Sequence, residues 1–282
     1  KEKNINLNLK TIKFKIDPKK LSLFLETNNP NINYLDLSIP VQNLKVYVDV
    51  LSLIKSKPKI NKINLSLEEL DVIELNNLSK LIKPSNFKSF LNNRIKDGKL
   101  ISEIEIFLDE EGNFKDFIAK GTVRNLEAAF LDNLSLTKMK FSFFADKNDI
   151  LVKSIFGNFE DVKIFDGDIK INLENGIKLN SNFNSSIKLN KDYLKKYEKF
   201  YKKNNLLSQL SSVDVALNNN FYIVFDETYK VTDYNYSLSG DLKKSEIILA
   251  KSFENEFIEE KITKIYFSDL KFQSIFTPDN IK

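Results

Sequence analysis

Residues Ile171 to Asn190 read INLENGIKLNSNFNSSIKLN. From Ile177 onward the odd positions Ile177, Leu179, Ser181, Phe183, Ser185, Ile187 and Leu189 are apolar or small, while the even positions Lys178, Asn180, Asn182, Asn184, Ser186, Lys188 and Asn190 are polar. Such alternation marks a strand whose two faces differ chemically. An ordinary strand ends after about 5 to 6 residues, whereas this one would extend ~40 Å at roughly 3.3 Å per residue. A strand of that length belongs in a wide sheet with one greasy surface.

The same alternation recurs along the chain. It appears at Ile5, Leu7 and Leu9, at Ile12, Phe14 and Ile16, at Leu44, Val46, Val48 and Val50, and at Ile63, Leu65 and Leu67. The change of parity between Leu9 and Ile12 predicts a bulge near Lys10, because a one-residue slip turns side chains to the other face. Further strands are expected over 100–108, 117–123, 139–145, 150–156, 169–173, 177–189, 221–225, 234–238 and 262–276. Nothing alternates as βαβ, so the fold class is mainly β.

Parity also predicts the turns. A three-residue loop Glu174, Asn175, Gly176 pairs Leu173 with Ile177 and Ile171 with Leu179 and puts Gly176 in a left-handed position. A four-residue loop from Asp146 to Asp149 sets Ala145 opposite Ile150 and Phe143 opposite Val152. A four-residue loop from Asp109 to Gly112 sets Ile106 opposite Lys115 and Ile104 opposite Phe117. The result is a long antiparallel meander.

Two helical insertions interrupt it. PSNFKSFLNNRIKDG has a cap at Ser85, apolar residues at Phe87, Phe90, Leu91 and Ile95, and a stop at Gly98. NKDYLKKYEKFYKKNN places Tyr193, Leu194, Tyr197, Phe200 and Tyr201 at helical spacing against Lys195, Lys196, Lys199, Lys202 and Lys203. The second helix either covers one end of the sheet or rests its basic aromatic face on an anionic membrane surface. The chain thus divides into a meander domain over 1–190, with the helical insertion near 85–97, and residues 191–282. The latter carry the 191–205 helix and strands that continue the same sheet or begin a second module.

The 282 residues contain no cysteine and no histidine. Disulfides, thiolate chemistry, imidazole bases and the usual zinc ligands are therefore excluded. The 7 glycines form no phosphate-binding loop. Carboxylates cluster at Asp109, Glu110 and Glu111, at Asp166 and Asp168, and at Glu254, Glu256, Glu259 and Glu260. The first group occupies a hairpin turn and the second a strand start, where solvated turn residues are the ordinary explanation. No catalytic residue, metal or cofactor is assigned, and no enzymatic activity is expected.

A net charge of +4 distributed over 43 basic and 39 acidic residues is no footprint for nucleic acid. Only Arg94 and Arg124 are arginines, which fits an AT-rich coding sequence and weakens any reading of a single Lys or Asn. The chain opens on KEKNINLNLK, already in strand alternation, and is expected to be a mature chain or a piece of something longer.

The run VQNLKVYVDVLSLIKSKPKINKINLSLEELDV (Val41 to Val72) resembles the strand, short helix and strand unit of the AsmA-like family of bacterial envelope proteins, which includes TamB-like and YhdP-like members. AKGTVRNLEAAFLDNLSLTKMKFSFFADKNDILVKSIFGNFEDVKIFDGDIKINLENG (Ala119 to Gly176) is similar to that family's successive meander strands. The resemblance implies a repeating β-groove: an antiparallel sheet curled into an open half-pipe, apolar inside, in the periplasm or cell envelope. It implies a non-enzymatic carrier of phospholipid, or another acyl-chain lipid, between inner and outer membranes, within a chain anchored in the inner membrane outside this sequence.

The expected lining is Val46, Val48, Val50, Ile63, Leu65, Leu67, Ile104, Ile106, Leu108, Met139, Phe141, Phe143, Ile169, Ile171, Leu173, Ile177, Leu179, Phe183 and Ile187. Ordinary core packing is the alternative role for each. Two other architectures share the alternation: a self-covered scaffold or surface adhesin, and an outer-membrane β-barrel, the latter disfavoured by the absence of Trp from the aromatic girdles.

Overall fold

A computed structural model describes residues 5–9, 11–17, 22–34, 37–72, 94–131, 134–174, 176–190, 192, 210–226, 230–255 and 257–278. Among these, sixteen strands form a single antiparallel meander. The N-terminal strands are β1 (Ile5–Asn8), β2 (Lys13–Asp17), β3 (Ser22–Asn28), β4 (Asn31–Tyr34) and β5 (Leu37–Val48). A short helix α1 (Val50–Ile54) leads to β6 (Ile60–Leu67) and β7 (Leu70–Asp71). The long strands follow: β8 (Ile95–Leu108), β9 (Phe114–Leu131), β10 (Leu134–Asp146), β11 (Asp149–Phe159), β12 (Val162–Asn172), β13 (Ile177–Asn190), β14 (Leu210–Phe225), β15 (Val231–Asn255) and β16 (Ile258–Phe276).

From β8 to β16 each strand pairs with the next in sequence. β13 pairs with β14 without interruption from Ile177↔Phe225 to Asn190↔Ser212, so β14, β15 and β16 continue the same sheet. Among the described residues β16 pairs only with β15, and β1 and β2 stand at the other edge. The sheet is open, which separates it from a closed barrel. Its surface is correspondingly large: 19777 Å², against about 12,000 Å² for a compact monomer of this length.

The strands are long because they are bulged. Asn125, Lys138, Ser154 and Asp166 lie in β9, β10, β11 and β12 with φ of 51°, 53°, 56° and 50°, and the register of each neighbouring ladder shifts beside them. A bulge adds one residue, bends its strand and resets which side chains face inward. Aligned from strand to strand, these bulges bend the sheet along a line. The most buried side chains follow it, with Leu100, Val123, Met139 and Ile155 all under a tenth exposed. The sheet therefore curls with its apolar face inward, and the trough crosses the strands in the hydrogen-bonding direction rather than running along them.

The N-terminal meander is folded at mid-length. β1 with β2, and β3 with β4, are two kinked strands paired against each other and against β5. The kink passes through buried Pro30 and through Asn29, whose N–H donates to the Gln42 carbonyl at 2.9 Å. Lys10, where a bulge is expected, lies outside the described residues; Leu9, Thr11 and Ile12 on either side of it are outside the ladder. Beyond the kink, Leu9, Ile32 and Ile39 pack onto a core of Val41, Leu44, Leu67, Leu70, Val72, Leu100 and Val123. This end of the trough is thereby closed by the chain itself.

Helix α1 starts at an Asp49 cap, whose Oδ1 accepts the Ser52 N–H at 2.6 Å. It stands between β5 and β6. The helix expected near 85–97 lies mostly outside the described residues. Its last residues, Ile95–Asp97, belong instead to β8, because Gly98 sits within that strand, where a Cβ would come 3.2 Å from Val72. The 191–205 helix likewise lies outside the described residues apart from Asp192.

Two of the three hairpins have the expected register. Ala145 pairs with Ile150, Phe143 with Val152 and Ile171 with Leu179, and Gly176 has φ +81°, where a side chain would be strained. The third is shifted by two: Ile106 pairs with Phe117 and Ile104 with Ala119. Asp109 accepts the N–H groups of Glu111 and Asn113 at 2.9 and 2.8 Å, which widens the loop to Asn113 and accounts for one residue of the shift; a bulge between Phe107 and Leu108 in the ladder adds the other. A shift of two leaves the facing unchanged. Asp166, Gly167 and Asp168, expected at a strand start, instead form the bulge within β12.

Candidate functional site

The site is the apolar face itself. One row of directly opposed residues crosses ten strands from β5 to β15: Leu44, Leu65, Ile104, Ala119, Ala145, Ile150, Ile171, Leu179, Ile223 and Tyr234. With strands about 4.8 Å apart, the row extends ~43 Å. On the far side of the bulge line a second row runs from β8 to β16 through Ile95, Ala128, Leu136, Phe159, Val162, Ile187, Val215, Leu242 and Leu270. Neither row contains a charged residue.

Most of these side chains are half-buried. In a single layer, neighbours on the same face shield only part of each side chain. Among the described residues, the strands whose backbones approach closely are ladder neighbours, and no second sheet lies over the trough.

The expected lining residues divide into three groups. Val46, Ile63, Leu65, Ile104, Ile106, Ile169, Ile171, Ile177, Leu179, Phe183 and Ile187 share the apolar face and are half-buried, as are Val48 and Leu108 near the strand ends. Leu67 and Met139 are 8% and 6% exposed and belong to packed interior, while Phe141 and Phe143 lie against that core. Val50 begins α1 and Leu173 lies beyond the end of β12; both are more than a third exposed, outside the trough. Sequence reasoning missed Ala119, Ala145, Ile150, Ile223, Tyr234, Val215 and Leu242. Their signal was present, since each shares parity with a neighbouring apolar residue, but a bulge or a small side chain interrupts it.

Two glycines let neighbouring strands approach under aromatic cover. A Cβ on Gly121 would lie 2.3 Å from the Ile101 carbonyl oxygen and 2.8 Å from the Phe143 ring; on Gly240 it would lie 2.6 Å from the Ala216 oxygen and 3.3 Å from the Phe272 ring. Aromatic rings opposite strand glycines restore the contacts that the missing side chain gives up.

Polar groups on this face are few and mostly internally satisfied. Asn219, 2% exposed, donates from Nδ2 to the Ser185 hydroxyl at 3.0 Å and the Phe183 carbonyl at 3.1 Å, and accepts the Tyr236 hydroxyl at 2.8 Å. Burial raises the Tyr236 phenol above its ordinary range. Ser245, at 1% exposed, has no hydrogen-bond partner for its hydroxyl among the described residues.

The opposite face carries the charges. Lys62 pairs with Glu105 at 3.2 Å, Lys120 with Glu103 at 2.9 Å, and Lys264 with Glu246 at 2.6 Å. Glu26 is held below the usual carboxylate range by its hydrogen bond to Lys15, assisted by Asn43 and Lys45. Such solvated pairs contribute little to stability; their effect is to keep this face wet. The carboxylates form no group of three or more potential metal ligands among the described residues. Comparison with known proteins finds no matching family model, no similar curated protein and no similar solved structure.

Proposed function

We propose that the chain is a non-enzymatic lipid-binding module that holds acyl chains against its apolar trough. The observation that carries this reading is the ten-strand apolar row, left half-open by a single-layer sheet whose other face is charged. A half-exposed surface of this extent stays in water only at a cost, and an apolar ligand removes that cost. Each methylene withdrawn from water contributes ~0.8 kcal/mol, while a headgroup remains solvated at the rim. Holding acyl chains in this way requires no nucleophile. With the family resemblance, this reading places the module in the bacterial envelope, carrying phospholipid between inner and outer membranes.

The test is purification from cells in mild detergent followed by mass spectrometry of extracted lipid. Phospholipid in stoichiometric amount is expected. A monodisperse, lipid-free protein that takes up no phospholipid from vesicles would show that the chain is a self-covered scaffold.

A further inference from the structure

The charged face changes character between β11 and β15. On β6, β8 and β9 it is built from ion pairs; at mid-length of β13, β14 and β15 it is built from amides, hydroxyls and one phenol, with the pairs Lys188–Asp214 at 3.7 Å and Lys264–Glu246 at 2.6 Å toward one end of these strands. Two adjacent cross-strand rows converge on a dent of about 630 Å³. One runs from Asp168 through Asn182 and Asn220 to Ser237, and the other from Lys170 through Asn180 and Tyr222 to Asn235.

The chemistry of the dent selects its occupant. Lys153 is paired with Asp168 at 3.4 Å and Lys170 with Asp149 at 3.9 Å, so neither cation is left over for an anion. An apolar ligand would strip water from a row of amides without replacing their hydrogen bonds. A peptide cannot add as a strand, because every strand here is paired on both sides. Asn180, Asn182 and Asn235 engage no protein partner among the described residues, and each amide offers both donors and an acceptor. Vicinal hydroxyls of a sugar need that double capacity, and the half-buried Tyr222 ring offers a flat surface for the C–H face of a pyranose. With strands about 4.8 Å apart, each four-residue row extends ~14 Å, room for a short oligomer rather than a single sugar.

We infer that this dent binds a neutral oligosaccharide lying across β12 to β15, with Asn180, Asn182, Asn220 and Asn235 as hydrogen-bonding groups and Tyr222 as the stacking platform. The site lies on the face opposite the lipid trough and does not depend on that reading.

The test is saturation-transfer NMR and calorimetry of the full chain with cellotetraose, maltotetraose and chitotetraose. At least one is expected to bind, with Tyr222→Ala weakening it tenfold or more and Tyr222→Phe changing it less than threefold. Asn182→Asp, an exposed substitution that leaves the fold intact, is expected to weaken binding severalfold by introducing an unpaired charge. Retained lipid should not change in any of these variants. Absence of binding for all three sugars, or binding indifferent to both Tyr222→Ala and Asn182→Asp, overturns the assignment.

Discussion

The Tyr236 hydroxyl donates to Asn219 Oδ1 at 2.8 Å across the β14–β15 ladder, on a face otherwise given to apolar side chains. Asn219 passes the connection on to Ser185 on β13, so three neighbouring strands share one buried polar cluster. A hydrogen bond adds about 1 kcal/mol net, but a buried group left unpaired costs about 1–3 kcal/mol. Asn219→Leu strands both hydroxyls and is expected to destabilise by ~2–3 kcal/mol, whereas the exposed neighbour Asn218→Ala should fall within about 0.5 kcal/mol of wild type. Urea denaturation midpoints, at unchanged slope, decide between these values.

Tyr236 also makes a prediction at high pH. Its folded-state affinity for the proton is raised above the ordinary tyrosine value of 10.0 by burial. The stability tied to the neutral phenol is complete below that value. It falls as pH rises through the ordinary value toward the folded one, because the unfolded chain ionises first. Near-ultraviolet titration should show one late-ionising class among the 10 tyrosines. That class should be missing in Tyr236→Phe.

Ser245 presents the opposite case. Its buried hydroxyl has no partner among the described residues, so deleting it removes a desolvation penalty and no hydrogen bond. Ser245→Ala should be neutral or stabilising, by up to about 1 kcal/mol. A loss above that amount in thermal or urea unfolding would mean that the hydroxyl is engaged.

Gly121 tests the close approach of β8 and β9. A methyl group there meets a backbone oxygen, which no side-chain rotation relieves. Gly121→Ala is expected to cost ~1–3 kcal/mol as overpacking. Gly112→Ala meets nothing within 4 Å but holds φ at +84°, for about 1 kcal/mol of backbone strain. The first substitution should also alter the Phe143 environment, read by NMR, and the second should not.

The trough predicts a face-specific effect on lipid. Leu179→Lys places an ammonium in the middle of the ten-strand row, whereas Lys178→Leu on the adjacent residue alters only the wet face. Co-purified phospholipid should fall severalfold in the first and stay unchanged in the second, with circular dichroism confirming the sheet in both.

Parity alone determined much of this protein. Because a side chain's face in a strand depends only on odd or even position, the apolar set on β13 and two of the three hairpin registers follow from residue types. The long strands were legible only in pieces, and the pieces end where the bulges are. Alternation read from Phe117 stops at Val123 just before Asn125; that on β10 begins at Met139 just after Lys138; that on β12 begins at Ile169 beyond Asp166. Each bulge inserts one residue and reverses the phase, which in sequence looks like the end of a strand.

Only the tertiary structure decided that the phase reversals line up from strand to strand. That alignment keeps Ile95, Ala128, Leu136 and Val162 on the same face as Ile104, Ala119, Ala145 and Ile171, and bends the sheet across its strands. A bulge is a local event, but where it falls relative to its neighbour's depends on ladder register. The sequence thus determined which side chains are greasy, and the register across the sheet decided which of them meet in a trough.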